Sequence, residues 1–210
     1  MQASLLPLFP LPVVVFPRTQ LPLHIFEERY KEMVGEAIEA HSEFGIVLAK
    51  DDGILNVGCT VVVERMLKHY PDGRMDIVTI GVRRFELVLL NQDKSYLRGE
   101  VQYFDDDMES DPISSATRDK ALELYRQWLD LGEAKPFGEA LLGDPQLSFQ
   151  LAQAIPDPDF LQALLRDRSE ASRLKQVMDF MSSYIPKQQL AAHMKKLSRT
   201  NGHGPEPGRA

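Results

Sequence analysis

Short apolar runs, separated by turn residues, fill the first hundred positions of the chain. "FGIVLAK" (44–50), "GCTVVVERMLKHY" (58–70), "MDIVTIGV" (75–82), "FELVLLN" (85–91) and "LRGEVQYF" (97–104) are rich in Val, Ile, Leu and aromatic residues. Bounded as they are by turn-formers, each predicts a β-strand. "YPDGRM" (70–75) predicts a hairpin turn, because proline presets φ and glycine accepts the positive φ that closes it. One segment has a helical period instead. In "EERYKEMVGEAIEA" (27–40), Tyr30, Met33, Val34, Ala37 and Ile38 recur on one face, with Glu28, Lys31, Glu32, Glu36 and Glu39 mostly opposite.

The period changes after "FDDDMESDP" (104–112), a polar and acidic stretch that reads as a solvated linker. Ser114 or Ser115 can cap a helix in which Ala121, Leu124, Tyr125 and Trp128 share a face and Gly132 marks the end. Asp144-Pro145 predicts the start of another, which Pro156 ends before "PDPDFLQALLRD" restarts the chain. From Ser169 a longer helix carries Leu174, Met178, Met181 and Ile185 inward until Pro186 stops it, and "KQQLAAHMKKLSR" forms the last. The expected fold class is α+β: a β-rich N-terminal domain over 1–110, a helical domain over 111–200, and a disordered tail over 201–210. No internal repeat is present.

Composition narrows the chemistry. Of 210 residues 43% are hydrophobic and 26% charged, as in an ordinary globular protein able to bury roughly 70% of its unfolded surface. The net charge of −7 lies wholly in residues 1–110, which hold 11 Lys/Arg against 18 Asp/Glu, while residues 111–210 balance at 13 and 13. An acidic domain repels a phosphate backbone, which disfavours nucleic acid as a partner. The N-terminus lacks the basic region of a signal peptide, prolines up to Pro17 interrupt any apolar helix there, and no apolar run is long enough to cross a bilayer. A cytoplasmic protein with no membrane association is therefore expected.

Candidate sites are few. "LPLHIFEERY" (21–30) places His24, Glu27 and Glu28 close together, but a zinc hydrolase of the H-x-x-E-H type needs a second histidine where Glu28 stands. His41, His69, His193 and His203 supply no paired ligand, so the stretch reads as a strand-to-helix corner whose acids favour the helix dipole. Cys59, alone in "NVGCTVVV", reads as a buried small hydrophobe. Asp105, Asp106, Asp107, Glu109 and Asp111 lack the glycine and terminal glutamate of an EF-hand. "VRRF" (82–85) suits a turn with salt-bridged arginines better than an RNA contact. No nucleophile elbow or P-loop occurs. No catalytic, metal-binding or cofactor-binding residue is assigned, and no cofactor is implied.

Taken together, "LPLFPLPVVVFPRTQLPLHIFEERYKEMV" (6–34) resembles the opening of the N-terminal domain of the ATP-dependent protease Lon. "FGIVL" (44–48), "VGC" (57–59), "PDGR" (71–74), "GVRRFEL" (81–87) and "YLRGEV" (96–101) follow in the family's order. The likeness continues more loosely through "LAQAIPDPDFLQALLRDRSEASRLKQVMDFM" (151–181). It implies a PUA-like β pseudo-barrel followed by an all-helical bundle, in a region that helps Lon proteases recognise substrates. A Lon protease adds an ATPase module and a serine–lysine protease domain; these 210 residues hold neither and resemble the stand-alone Lon-domain proteins of bacteria.

The expected function is a non-enzymatic module recognising unfolded polypeptides or a specific protein partner. The expected surface is the cleft between the β and helical parts or an exposed sheet edge, with contact residues unassigned. RNA binding, suggested by the PUA-like fold and by a basic end at Lys187, Lys195, Lys196 and Arg199, is the alternative, and an unrecognised hydrolase the third.

Overall fold

A computed structural model describes residues 5–51, 53–108, 113–132 and 139–200, with side chains to residue 190. Strands β1 (Leu6–Leu11) and β2 (Gln20–Ile25) precede helix α1 (Glu28–Ala40). Strands β3 (Phe44–Lys50), β4 (Gly53–His69), β5 (Met75–Asn91) and β6 (Leu97–Phe104) follow. After them the described elements are all helical: α2 (Ser115–Asp130), α3 (Leu147–Ala152), α4 (Pro158–Arg166) and α5 (Glu170–Thr200).

The sheet is mixed. β1 runs parallel to β3 and antiparallel to β6, and the remaining pairs are antiparallel. β5 is long enough to use one edge twice: residues 75–80 pair with β2 and residues 84–91 with β6. Since β6 also pairs with β1, the ladder β1–β3–β4–β5–β6 returns on itself. At the predicted hairpin turn, Gly73 has φ +82 and donates its N–H to the Tyr70 carbonyl at 3.0 Å. The apolar face of α1 is buried as its spacing predicts, through Tyr30, Met33, Val34 and Ala37.

Four expectations change. "VRRF" is no turn: Arg83 and Arg84 lie within β5, which stays paired with β4 on one side while passing from β2 to β6 on the other. The helix expected at Asp144-Pro145 begins at Leu147 and ends at Ala152, before Pro156; Asp144 instead folds a turn by accepting from the Gln146 N–H. Pro186 does not stop α5, which continues to Thr200. Proline removes one helical hydrogen bond, but Leu174, Val177, Met181 and Ile185 anchor the preceding turns in the core, and the residues that follow are good helix formers. Lastly, Asp106 is not solvated but lies among buried arginines. The tail 201–210, and Glu109 and Asp111, fall outside the described residues.

One buried apolar cluster joins sheet and helices, running from Phe9, Ile25, Met33, Phe44 and Ile77 to Trp128, Phe149, Leu164, Leu174 and Met181. Phe16 stacks on Phe149 with ring centroids 4.7 Å apart, and the Trp128 indole donates to the Ala154 carbonyl at 3.1 Å. Where the β1–β2 connection meets β5, a Cβ on Gly81 would stand 2.0 Å from the Phe16 carbonyl oxygen, so only glycine permits that approach.

Candidate functional site: an apolar cleft and the charged cluster behind it

The β1–β2 connection, "PVVVFPRT", carries a proline near each end, and it bends at Pro12–Val13 and turns at Pro17–Arg18 instead of forming a helix or strand. Val15 and Phe16 turn into the core, while Val13 remains 37% exposed. The segment is held at its end. Phe16 N–H donates to Thr19 Oγ1 at 3.2 Å, Thr19 Oγ1 donates to the Phe16 carbonyl at 2.8 Å, the Arg18 N–H donates to the Gly81 carbonyl of β5 at 2.8 Å, and the Gly81 N–H donates to the Thr19 carbonyl at 2.9 Å. Arg18 sits at φ 58. Its guanidinium grips Asp144 with both carboxylate oxygens, at 2.6 and 2.7 Å, and also donates to Gln146.

Opposite this segment runs the connection from α3 to α4. Ile155 packs inward, Asp157 caps α4 by accepting from the Phe160 N–H at 3.0 Å, and Pro158 occupies its first turn. Between the two walls lies a cleft of about 300 Å³, lined chiefly by Val13, Val14, Leu21, Ile155, Pro156 and Leu161. It carries few polar groups, Thr19, Gln20, Gln153 and Asp157, so it suits apolar side chains and offers no pair of convergent groups for proton transfer.

Behind the cleft, two arginines are almost wholly enclosed: Arg84 of β5 is 2% exposed and Arg173 of α5 0%. Asp106 bridges them, accepting from Arg84 Nη2 at 2.5 Å and from Arg173 Nη1 and Nη2 at 2.6 and 2.7 Å, with Gln146 adding a bond at 2.7 Å. Glu170 neutralises Arg173 at 2.8 Å and accepts from the N–H and hydroxyl of Ser148 at 2.9 and 2.6 Å. Remaining guanidinium hydrogens go to the Leu165 and Asp167 carbonyls and to Ser148 Oγ. Two cations thus face two anions. Burial pushes the Asp106 carboxyl up, but hydrogen bonds from Arg173 and Gln146 and the charges of both arginines outweigh it and hold it below the ordinary carboxylate range. At Glu170 burial wins, and its carboxyl is raised.

The residues weighed in the sequence are scattered. His24 Nδ1 contacts Asp76 Oδ1 at 2.5 Å, and Glu27 pairs with Arg29 at 2.8 Å. Hydrogen bonds from His24 and Tyr70 hold the Asp76 carboxyl low. Cys59 is buried, and burial pushes its thiol up to about 12. Arg83 pairs with Glu43 at 3.0 Å and stacks over Tyr103 at 3.7 Å. No group of three His, Cys, Asp or Glu suited to a metal occurs among the described residues, and no helix there is long and apolar enough to cross a membrane. Side chains of His193, Lys195, Lys196 and Arg199 lie outside the description. The sequence reading missed Arg18, Asp144, Asp106, Glu170 and Arg173. One signal was available: Glu170 and Arg173 share the helix stripe of Val177 and Met181, where a charge is out of place.

The sequence model of the ATP-dependent protease La (LON) substrate-binding domain matches residues 5–189. Over 107 residues the chain is 28% identical to Lon protease 1 of Hydrogenovibrio crunogenus, a match covering 47% of this chain and 13% of that one. It is 27% identical over 134 residues to Lon protease of Parabacteroides distasonis, covering 57% of this chain and 16% of the relative. The matches thus span well under a fifth of the length of either curated relative. Among solved structures, the Lon N-terminal domain protein from Xanthomonas campestris superposes with a TM-score of 0.68 at 26% identity, over 85% of this chain and 99% of that one. The N-terminal domain of Mycobacterium avium complex Lon protease, at 14% identity, shares the fold with a TM-score of 0.61, over 85% and 98%.

Proposed function

We propose that this chain, which belongs to the family of the LON substrate-binding domain, recognises unfolded polypeptide through the cleft between Val13–Leu21 and Gln153–Leu161, without catalysing a reaction. The observation that carries this reading is an apolar concavity of about 300 Å³ at the junction of sheet and helices, bordered by exposed Val13. Apolar side chains exposed in unfolded chains, and hidden in folded ones, are the ligands such a surface selects. The closed ladder and the helices packed on it support the finer reading of a PUA-like pseudo-barrel with a helical bundle. A cytoplasmic setting fits this role, and nucleic acid has no part in it: Arg83 and Arg84, the basic pair beside an aromatic, already face Glu43 and Asp106.

The test is fluorescence anisotropy of a labelled polypeptide, reduced and alkylated so that it cannot refold, with RNA of similar length as the parallel probe. Saturable polypeptide binding should persist at moderate salt and weaken about tenfold in Val13→Asp, which places a charge in the cleft without disturbing the core. Equal binding by Val13→Asp, or binding of the RNA alone, overturns the proposal.

A further inference from the structure

β4 is paired on both sides for only part of its length. β3 covers Gly53–Val61, whereas β5 covers Val57–His69, so from Val62 to His69 the outer edge of β4 meets no strand among the described residues. It faces the end of α1 across a groove of about 390 Å³ whose other wall is Ala37, Ile38, His41 and Ser42. No backbone hydrogen bond joins the helix end to that edge among the described residues, and its His41 and Ser42 N–H groups are spent on the Ile38 and Ala37 carbonyls. An edge of unpaired main-chain donors and acceptors has one natural complement, another extended chain.

We propose that this edge accepts an extended polypeptide segment of alternating apolar and acidic residues as an added strand. The groove presents Ile38, Val62, Val63 and Met66 to apolar side chains. The edge residues 62–69 hold Arg65 and Lys68 against Glu64, a net charge of +1 in a chain of net charge −7. Arg65 forms no ion pair among the described residues, Lys68 stands opposite Asp76 with its ammonium 4.3 Å from the centre of the Tyr70 ring, and Glu64 accepts from Gln20 at 2.7 Å. A strand edge of net positive charge repels a second copy of the same edge and favours an acidic strand. Irregularities between Val63 and Arg65 and between Met66 and Lys68 break the ladder, which limits the added strand to a few residues. The outer edge of β2 is no equivalent, since Pro22 stands in its middle without an N–H to donate. This site is distinct from the cleft and does not depend on it, although Gln20 touches both.

The experiment uses a labelled peptide of roughly eight residues alternating valine and glutamate, its lysine counterpart, and the glutamate peptide N-methylated at alternate positions, each titrated by anisotropy and followed by amide hydrogen exchange. The glutamate peptide should bind and slow exchange within residues 62–69, and N-methylation should weaken it about tenfold by removing main-chain donors. Arg65→Glu with Lys68→Glu should reverse the preference towards the lysine peptide, while Val13→Asp leaves it unchanged. No binding of the glutamate peptide, no slowing at residues 62–69, or equal binding of the N-methylated form overturns the proposal. Both charge reversals are on exposed side chains, and an unchanged thermal midpoint shows that the double variant is folded.

Discussion

Replacing Asp106 by asparagine keeps the side-chain shape and removes one charge, so it isolates what that carboxylate does. In the native cluster it accepts from Arg84 at 2.5 Å, from Arg173 at 2.6 and 2.7 Å, and from Gln146 at 2.7 Å. Asparagine offers one oxygen and turns an NH2 group towards guanidiniums that are 2% and 0% exposed. Two enclosed cations would then face Glu170 alone. Removing one partner of a buried pair costs about 3–5 kcal/mol. The Asp106 side chain retains 20% exposure, which lets water screen part of the loss, so about 3 kcal/mol is the working figure. For a chain of this size that lowers the thermal midpoint by roughly 6–12 °C. Circular dichroism melts and urea titrations of Asp106→Asn measure it, with Asp179→Asn, which breaks an exposed pair with Lys175, unfolding alongside the wild type. A loss below about 1 kcal/mol would refute the reasoning, because the arginines would then be compensated without this carboxylate.

The same variant has a pH signature. The Asp106 carboxyl is held below its ordinary range in the folded protein, so its contribution is complete above the unfolded value of about 4 and fades as pH falls through the lower folded value. Glu170 acts in the opposite sense. Its raised folded value means that the charged form is disfavoured by folding, so its contribution improves as pH falls through that value. Stability of wild type and Asp106→Asn should therefore differ most near neutrality and converge in acid, below about pH 4. A difference that does not change with pH places its origin in packing.

Two further outcomes follow from single residues. Cys59, buried with its thiol pushed up to about 12, should not react with Ellman's reagent at pH 8 in the native protein and should react fully in denaturant. Pro186 lies inside α5, so Pro186→Ala should restore a helical hydrogen bond and stabilise the chain by about 1–3 kcal/mol, read as a raised urea midpoint.

What was legible in the sequence was local. The strand runs of β3 and β6, the Pro71–Gly73 turn, the buried face of α1 and the Ser114 cap of α2 each depend on residues a few positions apart, and each forms as its pattern predicts. Two of the four corrections arise where distant partners decide. Arg83-Arg84 looks like a break in a strand until Glu43 and Asp106 accept the two side chains on opposite faces of β5. Asp106 looks solvated until Arg173, 67 positions later, is brought against it. The cleft itself joins segments whose contacts span 126 and more positions, as in Arg18 with Asp144, and no periodicity records such a pairing.

An apolar concavity in water tends to close upon itself, because burying its own walls is favourable. This one stays open because each wall is held elsewhere. Arg18 and Gly81 fix the Val13–Phe16 segment, and the Trp128 bond and the Asp157 cap fix the facing connection. Phe149 of α3 links the first wall to the charged cluster: its ring stacks on Phe16 at 4.7 Å and lies under the Arg173 guanidinium at 4.2 Å. Through that ring the charged cluster touches the segment that forms one wall of the cleft. A pre-formed cleft binds a chain without first being ordered, so the ligand's affinity is not spent on shaping its site. Enclosed arginines are an expensive way to stabilise a core, since apolar residues of similar volume can do as well. Bidentate pairs fix angles as well as distances, and the Arg173–Asp106 pair, with Arg84 on the same carboxylate, locks β5 and α5 together beside the Phe149 ring.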